Sequence, residues 1–348
     1  MSRKRKITIA YGVTGGRHPQ MLGAAVALNE AFEKCEESDF EILAHFGFSG
    51  GSIVAAIMGA GIHRIPGGPE EWIKDSTKYG KYGKIGGFPN LICNVWNLFR
   101  HGGLLNSKKL HDKVFKNILG DLDVKTPAYA GSWCVSHNRE ILFDLKNCCP
   151  GIGIACSAAL PFAISPMKVE NSLLIERGHD DILEEIHDDK DGFSWFADAG
   201  ISSSLGVGLV GDVPPVKDHE LESGIPVPVI GVNIDPISPG HVSGFGKYSW
   251  YKKIWEACWG TIRANVLDDI RMAEDKRYLQ LCEIPTPGNL MKFSTKFDAS
   301  LSENLTLYNV GYRQAKEWLN TPLSSGEKPI QAMITWYEER ESEIDNLS

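Results

Sequence analysis

Residues 47–51 of this chain read Gly-Phe-Ser-Gly-Gly, a G-x-S-x-G pattern between an apolar stretch and a helix-forming run at residues 53–58. A serine in this position lies on a tight turn between a strand and a helix, where the small neighbours Gly47 and Gly51 expose its hydroxyl. The N-terminus of the following helix favours the negative charge that develops during attack on a carbonyl carbon. We therefore predict that Ser49 is a nucleophile.

An earlier segment, residues 13–18, reads Val-Thr-Gly-Gly-Arg-His and follows the first apolar stretch of the chain. Glycines allow consecutive backbone N–H groups to point into one concavity, which is the arrangement that stabilises a tetrahedral oxyanion. The predicted oxyanion hole therefore draws its N–H donors from Thr14, Gly15, Gly16, Arg17 and Gly50.

A carboxylate that could activate the serine comes much later in the chain. Asp198 ends the apolar run that begins at residue 193, and Ala199 and Gly200 follow it. A serine hydroxyl is a poor nucleophile until a base removes its proton, and an aspartate with a pKa of ~3.9 is a weak base unless burial raises that pKa. A Ser49–Asp198 pair therefore requires a dry site.

In their order and spacing, these motifs resemble those of the patatin-like phospholipase family. The family has an N-terminal glycine loop, a G-x-S-x-G motif, an A-S-x-A-x-P-type segment, here within residues 155–166, and a D-[GA]-G motif, here residues 198–200. Residues 284–288 and the hydrophobic positions after them also resemble the end of the family's domain. The resemblance therefore covers most of the chain.

The resemblance implies a three-layer α/β/α sandwich with a mostly parallel central sheet and the nucleophile elbow after an early strand. It also implies a dyad in which Ser49 is the nucleophile and Asp198 the base, and which hydrolyses fatty-acyl esters of phospholipids or related lipids. The amides around Gly15 and Gly16 would form the oxyanion hole. On this resemblance the enzyme needs no metal or other cofactor, and it meets its lipid ester at a membrane or micelle.

The glycine loop departs from the family pattern G-G-G-x-[RK]-G. With Arg17 aligned, Val13 and Thr14 take the first two glycine positions and His18 takes the last. This departure favours, as one alternative, a patatin-fold protein with weakened catalysis that binds a lipid or a protein. A further alternative is an acyltransferase that uses the same dyad and passes the acyl group to an alcohol.

A Ser-Asp-His triad is the competing catalytic arrangement. It would place either His219 or His241 after Asp198 in the chain. The elbow of an α/β-hydrolase follows several strands, whereas only one predicted strand and one helix precede the strand that leads to Ser49. Both histidines also lie in loop-like segments, so we expect them to face solvent.

Charge and composition argue against several other classes of protein. The formal net charge of −8, from 36 basic and 44 acidic residues, disfavours a general nucleic-acid binder. The eight cysteines lack zinc-site spacing. No apolar segment approaches the ~20 residues of a membrane-spanning helix, and the N-terminal apolar run ends at Gly12, too early for a signal peptide. We expect a cytoplasmic protein whose membrane contact is peripheral.

Alternating strand and helix patterns predict an α/β fold. The predicted strands lie at residues 7–11, 40–46, 128–135, 140–145, 193–197 and 227–232, and the predicted helices at residues 22–32, 53–59, 248–267, 302–319 and 328–344. We assign residues 1–322 to a catalytic domain and residues 323–348 to a C-terminal helix and polar tail.

Two further segments carry distinctive patterns. Residues 88–99 have an apolar stripe at helical spacing, for which we favour a helix that covers the core over a lid or a lipid-contacting helix. Residues 176–192 are acidic and predict an inserted, solvated loop. This loop partly mimics a calcium site, but His187 stands at the first ligand position and Asp198 replaces the closing glutamate, so we expect no metal.

Overall fold

The computed structural model describes residues 4–33, 40–84, 90–147, 149–176, 192–203, 205–234, 265–271, 278–290 and 298–346. The strands within these ranges are β1 (Arg5–Tyr11), β2 (Phe40–Phe48), β3 (Gly103–Leu105), β4 (Ala128–Cys134), β5 (Arg139–Asp144), β6 (Phe162–Ile164), β7 (Met167–Glu170), β8 (Phe193–Asp198), β9 (Val229–Asn233) and β10 (Leu279–Glu283).

Eight of these strands form one mixed, mostly parallel sheet in the order β10-β9-β1-β2-β4-β8-β7, with β5 paired to β4. Strands β10, β9, β1, β2 and β4 run parallel to one another. β4 pairs antiparallel with both β5 and β8, and β7 pairs antiparallel with β8. The α/β class and the mostly parallel central sheet expected from the sequence are confirmed.

The α-helices in the described ranges are α1 (His18–Glu33), α2 (Gly50–Gly59), α3 (Gly68–Thr77), α4 (Asn90–His101), α5 (Ser107–Leu110), α6 (Lys116–Leu119), α7 (Pro150–Ser157), α8 (Asn171–Glu176), α9 (Pro214–Ser223), α10 (Leu301–Asn320) and α11 (Pro329–Asp345). A π-helical turn, His111–Phe115, joins α5 to α6. None of the helices in this part of the chain combines the length and the apolar character needed to cross a bilayer.

Helix α1 is buried along most of its length because it packs between the sheet and α10. A Cβ atom on Gly23 would lie 2.0 Å from the carbonyl oxygen of Tyr308, and one on Gly311 would lie 1.8 Å from that of Gln20. The two helices therefore approach backbone to backbone. α11 joins the same core, where the Tyr337 hydroxyl accepts a hydrogen bond from the β1 backbone.

Most of the predicted elements have counterparts in the structure. The predicted hairpin at residues 128–145 is confirmed as β4 and β5, joined by a turn in which Asn138 has a φ of 55°. Helix α1 begins four residues before the predicted start, because the glycine loop turns directly into it. The acidic segment 177–191, His241 and most of the predicted helix 248–267 lie outside the described residues.

The prediction that the apolar stripe of residues 88–99 covers the core is wrong for two of its residues. Trp96 and Phe99 lie on α4 and are 63% and 83% exposed. α4 packs mainly against β3, where the Asn97 amide donates to the Leu104 carbonyl. Trp96 and Phe99 therefore project into solvent, whereas the side chains of the stripe before Trp96 lie outside the described residues.

Candidate active site

Ser49 occupies a sharp and strained turn between β2 and α2. Its φ and ψ are 54° and −127°, and a positive φ costs a non-glycine residue about 1–3 kcal/mol. Hydrogen bonds hold the turn: the Ser49 N–H donates to Ser157 Oγ at 3.0 Å, and the Ser52 hydroxyl donates to the Ser49 carbonyl at 2.5 Å. The serine that the motif predicts as a nucleophile therefore has the backbone of an elbow.

Close backbone contacts explain the glycines of the motif. A Cβ atom on Gly47 would lie 2.3 Å from the carbonyl oxygen of Gly51, across the turn. A Cβ atom on Gly51 would lie 2.3 Å from the carbonyl oxygen of Tyr11, where α2 begins against the end of β1. A side chain at either position would push the elbow away from the sheet, so both glycines are required by space.

Asp198 is brought to the elbow by two strands that run toward each other. β5 occupies one edge of β4, so β2 and β8 must share the other edge. On that edge, Phe48 of β2 pairs with Gly131, and Asp198 of β8 pairs with the next residue, Ser132. The carboxyl ends of β2 and β8 therefore meet. This brings Ser49, the residue directly after β2, next to Asp198, the last residue of β8.

The Asp198 carboxylate is completely buried. Its Oδ1 accepts a hydrogen bond of 2.8 Å from the Gly200 N–H. Burial raises its pKa to about 7, and the Ser49 hydroxyl and the Gly200 N–H offset part of that rise. Oδ2 has no hydrogen bond that meets ordinary distance and angle limits, so the Ser49 hydroxyl lies beside the carboxylate without a well-aligned bond.

The D-[GA]-G motif forms a short 3₁₀ turn, Ala199–Ile201, directly after Asp198. A Cβ atom on Gly200 would lie 2.4 Å from Cγ2 of Val13 and 3.0 Å from Oδ1 of Asp198. Gly200 therefore lets the loop that follows β1 press against the loop that follows β8. This contact also gives the Val13 side chain a packing role.

The predicted oxyanion loop forms a 3₁₀ turn, Gly15–Arg17, that leads into α1. The positive φ of this loop, 57°, belongs to Gly15, whereas Thr14 has a φ of −120°. Thr14 therefore needs none of the left-handed backbone conformation that favours glycine. Gly15 and Gly16 are the first two residues of the turn, so their N–H groups have no hydrogen-bond acceptor within it.

Arg17 is buried beneath the loop and holds it in place through hydrogen bonds. Its backbone N–H donates to the Thr14 carbonyl at 3.2 Å. Its guanidinium is fully buried and donates to Thr286 Oγ1 at 3.0 Å, and Thr286 in turn donates to Gln20 Oε1 at 2.7 Å. The side chain thus ties the loop to the segment that follows β10 and is absent from the lining of the cleft described below.

Ser49 lies in the wall of a cleft with an empty volume of about 1030 Å³, part of which is open to solvent. Gly15, Gly16 and Gly50 line the same cleft. A Cβ atom on Gly50 would lie 2.0 Å from Thr14 Oγ1, so the elbow and the loop are in close contact. Ser49 and three of the five predicted N–H donors therefore face one space.

The remaining lining divides into an apolar set and a polar set. The apolar set is Ile53, Leu105, Leu110, Val114, Phe115, Ile118, Leu119, Ala158, Leu160, Ile164 and Ala299. The polar set is His18, Trp72, Ser76, Thr77, Tyr79 and Asn304, with Gly80 and Gly83 beside them. Among the described residues, no Asp, Glu, Lys or Arg lines the cleft, so its walls suit an uncharged acyl chain.

His18 is the one histidine that lines this cleft within the described part of the chain. Burial lowers its pKa to about 4, so the imidazole is neutral near pH 7. Its ring packs edge-on against Trp72, with the ring centroids 6.2 Å apart. Of the two triad candidates, His219 lines a separate cavity with Arg5 and Tyr337, and His241 lies outside the described residues.

Sequence reasoning assigned no role to Ser157, although its segment was part of the motif set. Its hydroxyl anchors the Ser49 N–H, and its position at the end of α7 brings the A-S-x-A segment against the elbow. The only signal was the A-S-x-A pattern itself. The wall formed by Trp72, Tyr79 and their neighbours gave no sequence signal at all.

Within the described ranges, no group of three or more His, Cys, Asp or Glu side chains could hold a metal ion. No protein-family model matches the chain, and no curated protein matches it significantly. What the chain does must therefore be argued from its own motifs and geometry.

Proposed function

We propose that this protein is a serine ester hydrolase of the patatin-like type, which cleaves fatty-acyl esters of phospholipids or related lipids through an acyl-Ser49 intermediate. The observation that carries the proposal is the meeting of β2 and β8, which puts a strained serine beside a buried carboxylate with a raised pKa in the wall of an apolar cleft. The proposal includes the finer fold, a three-layer α/β/α sandwich.

In the first half of the reaction, the acyl chain of the substrate lies along the apolar walls of the cleft. Asp198 removes the proton of the Ser49 hydroxyl as Oγ attacks the ester carbonyl carbon. The oxyanion accepts hydrogen bonds from the N–H groups of Gly15, Gly16 and Gly50. Each such donor contributes about 3 kcal/mol in comparable sites. The protonated Asp198 then gives its proton to the departing alcohol.

In the second half, water takes the place of the alcohol. Asp198 removes a proton from that water as its oxygen attacks the acyl-Ser49 carbonyl. The protonated Asp198 then returns the proton to Ser49 Oγ as the acyl–oxygen bond breaks and the fatty acid leaves. Both halves require that Asp198 stay shielded from bulk solvent. The burial that raises the pKa of Asp198 to about 7 makes it a stronger base than an aspartate in water, where that pKa is ~3.9.

The test is ester turnover by the purified protein on a short-chain chromogenic ester and on mixed phospholipid micelles, beside Ser49→Ala and Asp198→Asn. We expect turnover by the wild type and its loss in both variants. Because the base must be ionised, kcat/KM should rise about tenfold per pH unit up to pH 7 and level off above it. Ser223→Ala, a partly buried serine at the end of α9 that is absent from the cleft lining, is the control for loss of a serine hydroxyl.

Three results would decide against hydrolysis of lipid esters. A wild type that turns over no ester and takes no covalent label from a fluorophosphonate probe would favour the binding protein with weakened catalysis. A product in which the acyl group is found on an added alcohol would favour the acyltransferase. Turnover that is lost in His219→Ala or in His241→Ala as well as in Asp198→Asn would restore the triad.

A further inference from the structure

The exposed face of α4 is an unusual feature of this molecule. Trp96 and Phe99 are three positions apart, so they lie on one side of the helix, and they are 63% and 83% exposed. Exposed aromatic side chains of this size prefer the boundary between water and hydrocarbon, where tryptophan above all is enriched. Single exposed hydrophobics are ordinary, but two on one helix face form an apolar surface.

The charge of the neighbouring segments is opposite to that of the whole chain. Residues 74–84 and 100–116 together contain nine Lys and Arg residues against two Asp, although the formal net charge of the protein is −8. All nine basic residues are exposed: Lys74, Lys78, Lys81, Lys84, Arg100, Lys108, Lys109, Lys113 and Lys116. Positive charge is therefore concentrated in two short parts of an acidic protein.

These two basic segments also belong to the walls of the catalytic cleft. Ser76, Thr77 and Tyr79 line the cleft from the first segment, and Leu105 and Leu110 line it from the second. α4 packs against β3, which contains Leu105. The helix that carries the aromatic pair thus packs against a strand of the cleft wall, and both basic segments contribute residues to that wall.

We propose that this surface, defined as Trp96 and Phe99 together with the basic segments 74–84 and 100–116, binds the face of an anionic lipid bilayer. The aromatic pair enters the headgroup region and the basic side chains attract the anionic lipids, a combination that holds amphipathic helices at membranes. The choice of a lipid rather than an acidic protein rests on the proposed function, because the apolar cleft beside the surface would receive a lipid ester.

The test is co-sedimentation of the Ser49→Ala protein with vesicles of phosphatidylcholine alone or of phosphatidylcholine mixed with phosphatidylserine. Ser49→Ala removes turnover, so binding is measured whether or not the protein is an ester hydrolase. We expect binding to the mixed vesicles to exceed binding to neutral vesicles at least tenfold, and to weaken as salt rises.

Matched variants separate the two components of the surface. In the Ser49→Ala background, Trp96→Ser with Phe99→Ser, and Lys109→Glu with Lys113→Glu, should each weaken binding to mixed vesicles about tenfold or more. The controls are Leu221→Ser, a 76% exposed apolar residue on α9, and Lys217→Glu with Lys328→Glu, two exposed lysines outside both basic segments. Thermal melting confirms that each variant is folded.

Equal binding by the surface variants and their controls would overturn the proposal, as would equal binding to neutral and mixed vesicles or no binding to either. Binding that depends on Lys109 and Lys113 but not on Trp96 and Phe99 would also overturn it, since that pattern belongs to a surface for acidic macromolecules. The proposed chemistry is tested separately, by turnover of a water-soluble ester with the same surface substitutions in the protein that retains Ser49. The substituted surface residues are absent from the cleft lining, so this turnover should not change.

Discussion

Helices α1 and α2 each have their N-terminal end in the candidate active site and their C-terminal end beside a cluster of ion-paired side chains. At their N-terminal ends lie the glycine loop and Ser49. At their C-terminal ends, Glu33 ends α1, and His63 and Arg64 follow α2. Glu33 Oε1 accepts a hydrogen bond from His63 Nε2 at 3.0 Å and two from Arg64.

The pKa of the carboxylate is shifted in opposite directions in the candidate active site and in the ion-paired cluster. Asp198 meets a single N–H on Oδ1, and burial raises its pKa to about 7. Burial alone would also raise the pKa of Glu33, but hydrogen bonds and charge interactions with His63 and Arg64 lower it to about 2. A carboxylate becomes a useful base near pH 7 only where burial is not offset by a cation.

The site contains a buried cation, Arg17, whose guanidinium would lower the pKa of Asp198 if it faced the carboxylate. Arg17 lies in the oxyanion loop itself, yet its guanidinium points into the core, to Thr286 and the Thr14 carbonyl. It contributes nothing to the pKa shift of Asp198. The site therefore combines an arginine-anchored loop with a carboxylate that no cation among the described residues neutralises.

The most direct test of this difference is to replace each of the two carboxylates by an amide in turn. Asp198→Asn keeps the size of the side chain but cannot accept a proton, so we expect kcat/KM to fall about 10⁴-fold. Glu33→Gln removes an acid that is remote from the cleft and should change kcat/KM less than twofold. Steady-state turnover of a soluble ester measures both, and an equal loss in the two variants would show that general destabilisation rather than base removal is responsible.

The next largest effect is on stability. Because the pKa of Asp198 is raised in the folded protein, folding favours its protonated form, and stability is lost as pH rises from the unfolded value of ~3.9 through about 7. Asp198→Asn removes this loss and should stabilise the protein by about 4 kcal/mol at pH 8, with little change near pH 4.

Denaturant melts at the two pH values measure this difference. Destabilisation of Asp198→Asn at pH 8 would mean that the carboxylate is stabilised by the fold. In that case the folded protein would not raise the pKa of Asp198, and the contrast with Glu33 would not hold.

A smaller effect concerns the contact between the elbow and the loop. A Cβ atom on Gly50 would lie 2.0 Å from Thr14 Oγ1 and 3.0 Å from the Gly15 carbonyl oxygen. Gly50→Ala should therefore displace the oxyanion loop and lower kcat about 10²-fold, the size of effect seen when one oxyanion donor is lost. Gly288→Ala is the control, because a Cβ there meets nothing within 4 Å.

A double-mutant cycle sharpens this prediction. Thr14→Ala removes the hydroxyl that the new methyl group would strike, so the Thr14→Ala/Gly50→Ala protein should recover most of the lost kcat. Strictly additive losses would mean that Gly50 acts in some way other than by making room for Thr14.

The sequence was sufficient for the parts of this site that depend on local pattern. The G-x-S-x-G motif predicts the elbow at Ser49 because small residues and a following apolar helix are a local requirement of that turn. The parallel strands β1, β2, β4 and β9 follow from their apolar runs, whereas β10, at one edge of the sheet, was not predicted. The prediction that Ser49 is a nucleophile and Asp198 its base still awaits a measurement of turnover.

The rest depends on contacts between distant residues, which no local pattern contains. Nothing in the run before Asp198 indicates that β8 returns antiparallel along the edge of β4 that β2 occupies. The exposure of Trp96 and Phe99 could not be predicted either, since helical spacing identifies an apolar face without identifying what covers it. Arg17, expected near the oxyanion hole, is directed inward by Thr286, more than 260 residues later.

The smallest effect tests the ion-paired cluster alone. Because the pKa of Glu33 is depressed in the folded protein, its contribution to stability is present above the unfolded value of ~4.3 and is lost as pH falls toward about 2. Glu33 is partly exposed, so solvent screening reduces the contribution to about 1 kcal/mol. Glu33→Gln should therefore destabilise the protein by that amount at pH 7 and have no effect near pH 2. If Glu33→Gln were as costly at low pH as at neutral pH, His63 and Arg64 would be held by packing rather than by the carboxylate, and the contrast with Asp198 would not be one of charge.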